Sequence, residues 1–159
     1  MEFDQYCEAV AENRLSAGFE VVTETELLGR VWHATDEDPT VGDISLFTAV
    51  IDAREHGPDE VTEAADALRR VVTEHTSPDN GATPIGYLVL VVPDPSSDVV
   101  DAATSHTVAE RRTNVFPLVY DATSETLHTH PVPRLKGRGI YRRQIDDAAR
   151  LFEPSADEA

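Results

Sequence analysis

Two apolar runs and the helix between them constrain this chain most. Asp43–Arg54 (DISLFTAVIDAR) and Ile85–Val92 (IGYLVLVV) carry apolar side chains at consecutive positions rather than at alternate ones. A strand with that pattern hides both of its faces, so each run belongs inside a sheet covered on both sides. Between them Pro58 opens a helix, with Asp59 and Glu60 suited to the positive end of its dipole. Val61, Ala64, Ala65, Leu68, Val71 and Val72 share one face of that helix. A strand, a covering helix and a second buried strand make a parallel crossover. Ser77–Gly81 (SPDNG) ends the helix.

The remaining chain supplies more strands and the cover for the second face. Phe3, Tyr6, Cys7, Val10 and Leu15 approximate a helical stripe, which predicts a helix over about residues 2–17, stopped by Gly18. Phe19–Leu28 and Arg30–Thr35 are β-rich and flank Gly29; Asp36–Gly42 is a polar turn. With Asp43–Arg54 they form an antiparallel meander. Asp98–Arg111 predicts a weaker helix through Val99, Val100, Ala103 and Val108. Val115–Tyr120 and Thr126–His130 predict a hairpin, with Pro117 arguing for an edge position. Ile140–Phe152 predicts a last helix, with Ile140, Ile145, Ala148, Ala149 and Phe152 inward. The order α-β-β-β-α-β-α-β-β-α packs as one mixed sheet flanked by helices, an α/β (α+β) fold. One domain spans residues 1–153, and residues 154–159 form a disordered acidic tail.

The chain has 13 basic and 30 acidic residues, net charge −17, and its basic residues are twelve Arg and a single Lys, Lys136. Such an acidic excess with almost no lysine is expected of a halophilic, archaeal-type protein working in molar salt, where net charge serves solubility. At about 1 M salt the Debye length is only about 3 Å, so a basic patch acts by direct contact. No apolar run approaches the roughly 18 residues that cross a bilayer. The start, MEFDQYCEAVAENR, is acidic and resembles neither a signal peptide nor a basic transit peptide. A cytoplasmic location without a membrane partner is expected. Cys7 is the single cysteine, which excludes an intrachain disulfide and thiolate zinc sites; a buried, inert thiol is expected.

Arg111–Arg143 runs against the overall charge, with seven of the basic residues and two acids, Asp121 and Glu125. Within it Gly137-Arg138-Gly139 precedes the last helix, and Arg134, Lys136, Arg142 and Arg143 surround that point. Glycines at a helix N-terminus let backbone N–H groups approach an anion. The spacing is not that of a P-loop. A phosphate, a nucleic acid or an acidic protein surface fits such a site. The alternative is charge balance, against an acidic face of the same fold or of a second copy in a homo-oligomer. His106 lies near Arg111 and Arg112 in sequence. His128-Thr129-His130 places two imidazoles on one strand face, the beginning of a metal site with no identifiable third ligand. A solvated strand face is the alternative. Trp32 is expected in core or edge packing. Asp52 and Arg54 share a strand face, where a structural ion pair is expected. No cofactor is implied, and no acyl-hydrolase, dinucleotide or zinc-protease motif occurs.

Two resemblances follow from particular residues. Phe3-Asp4-Gln5-Tyr6 leading to Gly18-Phe19-Glu20-Val21 is the first stretch. Asn114 to Asp121, Leu127-His128, Pro133, Gly137 and Gly139-Ile140-Tyr141 make the second. Together they resemble a family of small uncharacterised archaeal proteins over residues 1–22 and 105–145, which implies relationship and no activity. The α-β-β-β-α-β opening resembles the restriction-endonuclease-like, or PD-(D/E)xK, core. That resemblance implies magnesium-binding acids, for which Asp43 and Asp52-Ala53-Arg54 are the closest fit, with Glu8 or Glu12 as helper. The pattern departs in two ways. Asp43 and Asp52 lie on one strand, near 30 Å apart at about 3.3 Å per residue. Arg54 replaces the lysine and cannot act as a general base.

The expectation is therefore a non-catalytic, salt-adapted module that binds an anionic partner through residues 111–143. The alternative is a metal-dependent nuclease or a DNA-binding protein derived from one, with magnesium as its only cofactor.

Overall fold

The computed structural model describes residues 1–76, 81–110 and 112–154. Its elements are α1 (Phe3–Ser16), β1 (Glu20–Thr25), β2 (Gly29–Asp38), β3 (Gly42–Asp52), α2 (Pro58–His75), β4 (Thr83–Val92), α3 (Ser97–Thr104), β5 (Ala109–Glu110), β6 (Thr113–Asp121), β7 (Thr126–His128) and α4 (Arg138–Phe152). This is the predicted order with one short strand, β5, added. The expected helix end at Ser77–Asn80, Arg111 and the tail from residue 155 lie outside the described residues.

Among the described residues seven strands form one mixed sheet in the order β1-β2-β3-β4-β6, with β5 and β7 on the outer side of β6. β1, β2 and β3 are the antiparallel meander. β3, β4 and β6 are parallel, and β4 is central as its apolar run requires. One face packs Phe47, Leu88, Leu90 and Val119 under α2 and α3. The other packs Leu46, Tyr87, Val89, Phe116 and Tyr120 under α1 and α4. Gly86 lets α2 sit close, because a Cβ there would stand 3.2 Å from Leu68 Cδ2 and Val72 Cγ2. From β3 through β4 to β6 the sheet grows in one direction, with both crossover helices on one face. No reversal of strand order, and so no topological switch-point crevice, arises there.

Pro117 sits inside β6, opposite Leu88 of β4. On the outer side β5 pairs only Thr113 and Asn114, and β7 only Val119 to Asp121. The outer ladder is thus interrupted where proline has no N–H to offer. The His130 ring occupies the interruption, its Nε2 2.9 Å from the Pro117 carbonyl oxygen.

Several boundaries and faces differ from expectation. β2 extends through Asp36, Glu37 and Asp38, which pair with Ile44, Asp43 and Gly42. The turn shrinks because Asp38 Oδ1 accepts the N–H groups of Thr40 (2.7 Å) and Val41 (2.9 Å). α3 ends at Thr104, and Val108 is buried outside it. Arg69 of α2 draws the chain down there, donating to the carbonyls of Thr107, Val108, Glu110 and Thr113. Leu15, Ile145 and Ala149 are exposed. The inward positions go to Arg14 on α1 and to Gln144 and Asp147 on α4. Tyr6, Val10 and Arg14 follow at intervals of four, the true stripe of α1. Arg14 Nη1 donates to Thr48 Oγ1 (3.2 Å), and its guanidinium lies 4.6 Å from the centre of the partly buried Trp32 ring. Cys7 is only half-buried, and burial pushes its pKa up to about 11, so it stays a thiol at neutral pH.

Candidate functional site

The approach to α4 is fixed before any cation is considered. Gln144 is buried; its Oε1 accepts the His130 N–H at 2.7 Å, and its Nε2 donates to the carbonyls of His130 (3.2 Å) and Tyr141 (2.8 Å). His130 and Tyr141 both meet Phe116 edge-on, at 5.3 and 5.2 Å between ring centres. Gly137, at φ +76°, makes the left-handed bend that starts the helix. Gly139 serves a different purpose from anion approach. A Cβ on it would stand 2.8 Å from Thr40 Cγ2, so its bareness admits the β2–β3 turn against the first turn of α4.

On this support Arg134, Lys136, Arg138 and Arg142 are all exposed. Arg138 Nη1 donates to the Arg134 carbonyl at 3.2 Å, closing the loop on itself. Among the described residues none of the four forms an ion pair. The first turn of α4 holds no acid, whereas α1, α2 and α3 each have at least one there. The cations therefore face the positive end of a helix dipole, which adds to their field instead of cancelling it. Between them Leu135 is 90% exposed.

Arg143 belongs to another construction. Its Nε donates to Asp147 Oδ2 (2.7 Å) and its Nη2 to Asp36 Oδ2 (2.6 Å), and its Nη1 stands 3.5 Å from Asp38 Oδ2. Tyr87 Oη and Arg150 Nη2 also donate to Asp147, at 2.7 and 2.9 Å. Burial opposes the charge on Arg143, but the hydrogen bonds it donates to Asp147 and Asp36 outweigh it and raise its pKa. Arg143 ties α4 to the β2–β3 hairpin and is not available to a ligand. Arg112 occupies the β5–β6 turn at φ +67°. His106 is half-buried rather than part of a basic surface, and among the described residues its Nε2 has no hydrogen-bond partner.

No family model, curated protein or solved structure matches this chain. The site must be argued from its own geometry. Asp43 pairs in register with Glu37 at the start of β3 and borders a shallow cleft of about 550 Å³ with Thr35 and Asp36. Asp52 ends the same strand, its Oδ1 3.2 Å from Arg54 Nε, the expected ion pair. Glu8 and Glu12 are exposed on α1, and His33 Nε2 is engaged by Ser45 Oγ at 2.7 Å. β7 ends at His128, and His130 lies beyond it with its ring buried, so the two imidazoles do not share a strand face. Among the described residues no three His, Cys, Asp or Glu side chains converge closely enough to hold a metal ion, and no helix is long and apolar enough to cross a membrane.

Three charged residues escaped the sequence reading, Arg14, Arg69 and Asp147, all buried, and so did the buried Gln144. The one available signal was position, since Arg14 and Asp147 fall at helical intervals from Val10 and Arg143.

Proposed function

We propose that this protein is a non-catalytic binding module of a salt-rich cytosol, which engages an anionic partner through Arg134, Lys136, Arg138 and Arg142. One observation carries the reading: four exposed cations without ion pairs among the described residues, at a helix N-terminus, in a chain of net charge −17. With 30 acids in the chain a cation can be neutralised nearby, as the largely buried Arg143 is by Asp36 and Asp38. Four that remain unpaired and add to a helix dipole raise the free energy of the isolated chain, and a bound anion relieves it. The turn at Thr40–Val41 places this surface at the N-terminal end of β3, on an open exterior. That suits docking against a surface more than enclosure of a small substrate.

The test separates binding from stability. In molar KCl, binding of labelled duplex DNA, single-stranded RNA and poly-glutamate is compared for the wild type and the variant with all four cations changed to Ala. At least one probe should bind, and the variant should lose about tenfold or more in affinity with its melting temperature unchanged or raised. Arg143 is left intact because its loss would unfold the support. Equal affinity in the variant, or a variant that only melts earlier, would sink the reading. So would magnesium-dependent cleavage of DNA that disappears in Asp52→Ala.

A further inference from the structure

We infer that the partner at this surface is a second copy of the same chain, which offers the edge formed by α1 and β1. The inference rests on the docking role proposed above and adds the identity of the occupant. Among the described residues the exposed large hydrophobic side chains are Leu15, Val21, Leu27, Leu135 and Ile145. They fall into two settings of opposite charge. Leu135 lies between Arg134 and Lys136; Ile145 follows Arg142 by three residues on the exposed side of α4, with the exposed Asp146 next to it in sequence. Leu15 follows Glu12 by three residues on α1, Val21 follows Glu20 on β1, and Leu27 follows Glu26 in the next turn. Those three glutamates and Glu24 are exposed, and none is ion-paired among the described residues.

Each setting is costly alone and complementary to the other. Exposed apolar side chains beside charges mostly of one sign gain little from water, with Asp146 next to Ile145 and Arg30 in register with Glu24 as the exceptions. Brought together, Leu135 and Ile145 meet aliphatic groups at the centre while arginines meet glutamates at the rim, which is the ordinary anatomy of an interface. Among the described residues β1 is also the end strand of the sheet and pairs only with β2. Its outer row of backbone groups is open to a partner. A nucleic acid fits less well. Its backbone requires a run of cations, whereas these four are bordered by an acidic chain, and the projecting Leu135 does not stack on bases as an aromatic would. The two settings differ and each copy presents one of each, so a pair joins them either twice about a two-fold axis or once head-to-tail.

Sedimentation velocity in molar KCl tests this directly. The wild type should sediment as a species heavier than the 17.4 kDa monomer. Leu135→Ser should weaken self-association by about tenfold. The double variants Arg138→Glu/Arg142→Glu and Glu20→Arg/Glu24→Arg should each be monomeric, and mixing them should restore the heavier species, which also shows that both are folded. A wild type that stays monomeric up to about 1 mM, or double variants that remain separate when mixed, would overturn the inference. If the wild type is monomeric yet still binds poly-glutamate through its four cations, the proposed function stands and only the second copy is rejected. If it is monomeric and binds none of the probes, both fail.

Discussion

Asp147 shows how much a single buried carboxylate organises. It is 1% exposed and accepts from Tyr87, Arg143 and Arg150. Removing it leaves the largely buried Arg143 short of an anion and the Tyr87 hydroxyl without its acceptor. Asp147→Ala should therefore cost about 3–5 kcal/mol in denaturant melts. Asp36→Ala, at the open end of the same network, should cost less than about 1 kcal/mol. Similar costs for the two would refute this division. Protonation follows the same geometry. His33, His106 and His130 have lowered pKa values, in each case chiefly through burial. The unfolded chain takes up those protons near pH 6.5 and the folded one does not, so stability falls as pH drops from about 6.5 through the folded values. Asp36 is lowered by the hydrogen bond from Arg143, and Asp38 by the N–H groups of Val41 and Thr40. Their contribution is complete above about pH 3.9 and lost as pH falls through the folded values. Acid should thus weaken the fold in two stages, and His130→Gln should shrink the first. A melting temperature that is flat from about pH 7 to pH 5 would contradict the assignment.

At the scale of elements, the contact between α4 and the β2–β3 turn is open to a double-mutant test. Gly139→Ala should cost about 1–2 kcal/mol, because its Cβ would meet the Thr40 methyl at 2.8 Å. Thr40→Ser removes that methyl; in its background Gly139→Ala should be neutral or stabilising by up to about 1 kcal/mol, the helix preference for Ala. Additive effects in chemical denaturation would show that the two elements do not touch. The same contact shows what the sequence disclosed. The apolar face of α2 was legible, because its predicted inward residues are all buried, although Arg69 joins them unannounced. α1 and α4 were not, because part of each inward face is polar and its partners are remote. Asp147 meets Tyr87 across 60 residues and Arg143 meets Asp36 across 107. Hydropathy scores Arg14, Gln144 and Asp147 as outward and Leu15 and Ile145 as inward, the reverse of what the tertiary partners dictate. For the same reason Arg142 and Arg143 looked alike, although one faces solvent and the other faces three carboxylates. Arg134, Lys136 and Arg138 are exposed, as a polar loop entering a helix requires.

For the whole molecule, net charge governs the response to solvent. At −17, self-repulsion is screened in molar salt and unscreened on dilution. Desalting should lower the melting temperature by at least about 3 °C, the shift that roughly 1 kcal/mol produces in a domain of this size. A rise on desalting would contradict the salt-adapted reading. The layered packing sets a schedule as well. The face under α2 and α3 needs nothing later in the chain than β6. The opposite face waits for α4: Tyr6 Oη donates to the Phe152 carbonyl at 2.6 Å, and Asn13 Nδ2 donates to the carbonyls of Leu151 and Glu153. On the ribosome, where the chain emerges from its N-terminal end, one face can close while the other still shows Tyr87, Phe116 and Tyr120 to water. A nascent chain paused before Arg138 is half sealed, and the interval before α4 arrives is when a chaperone has most to hold.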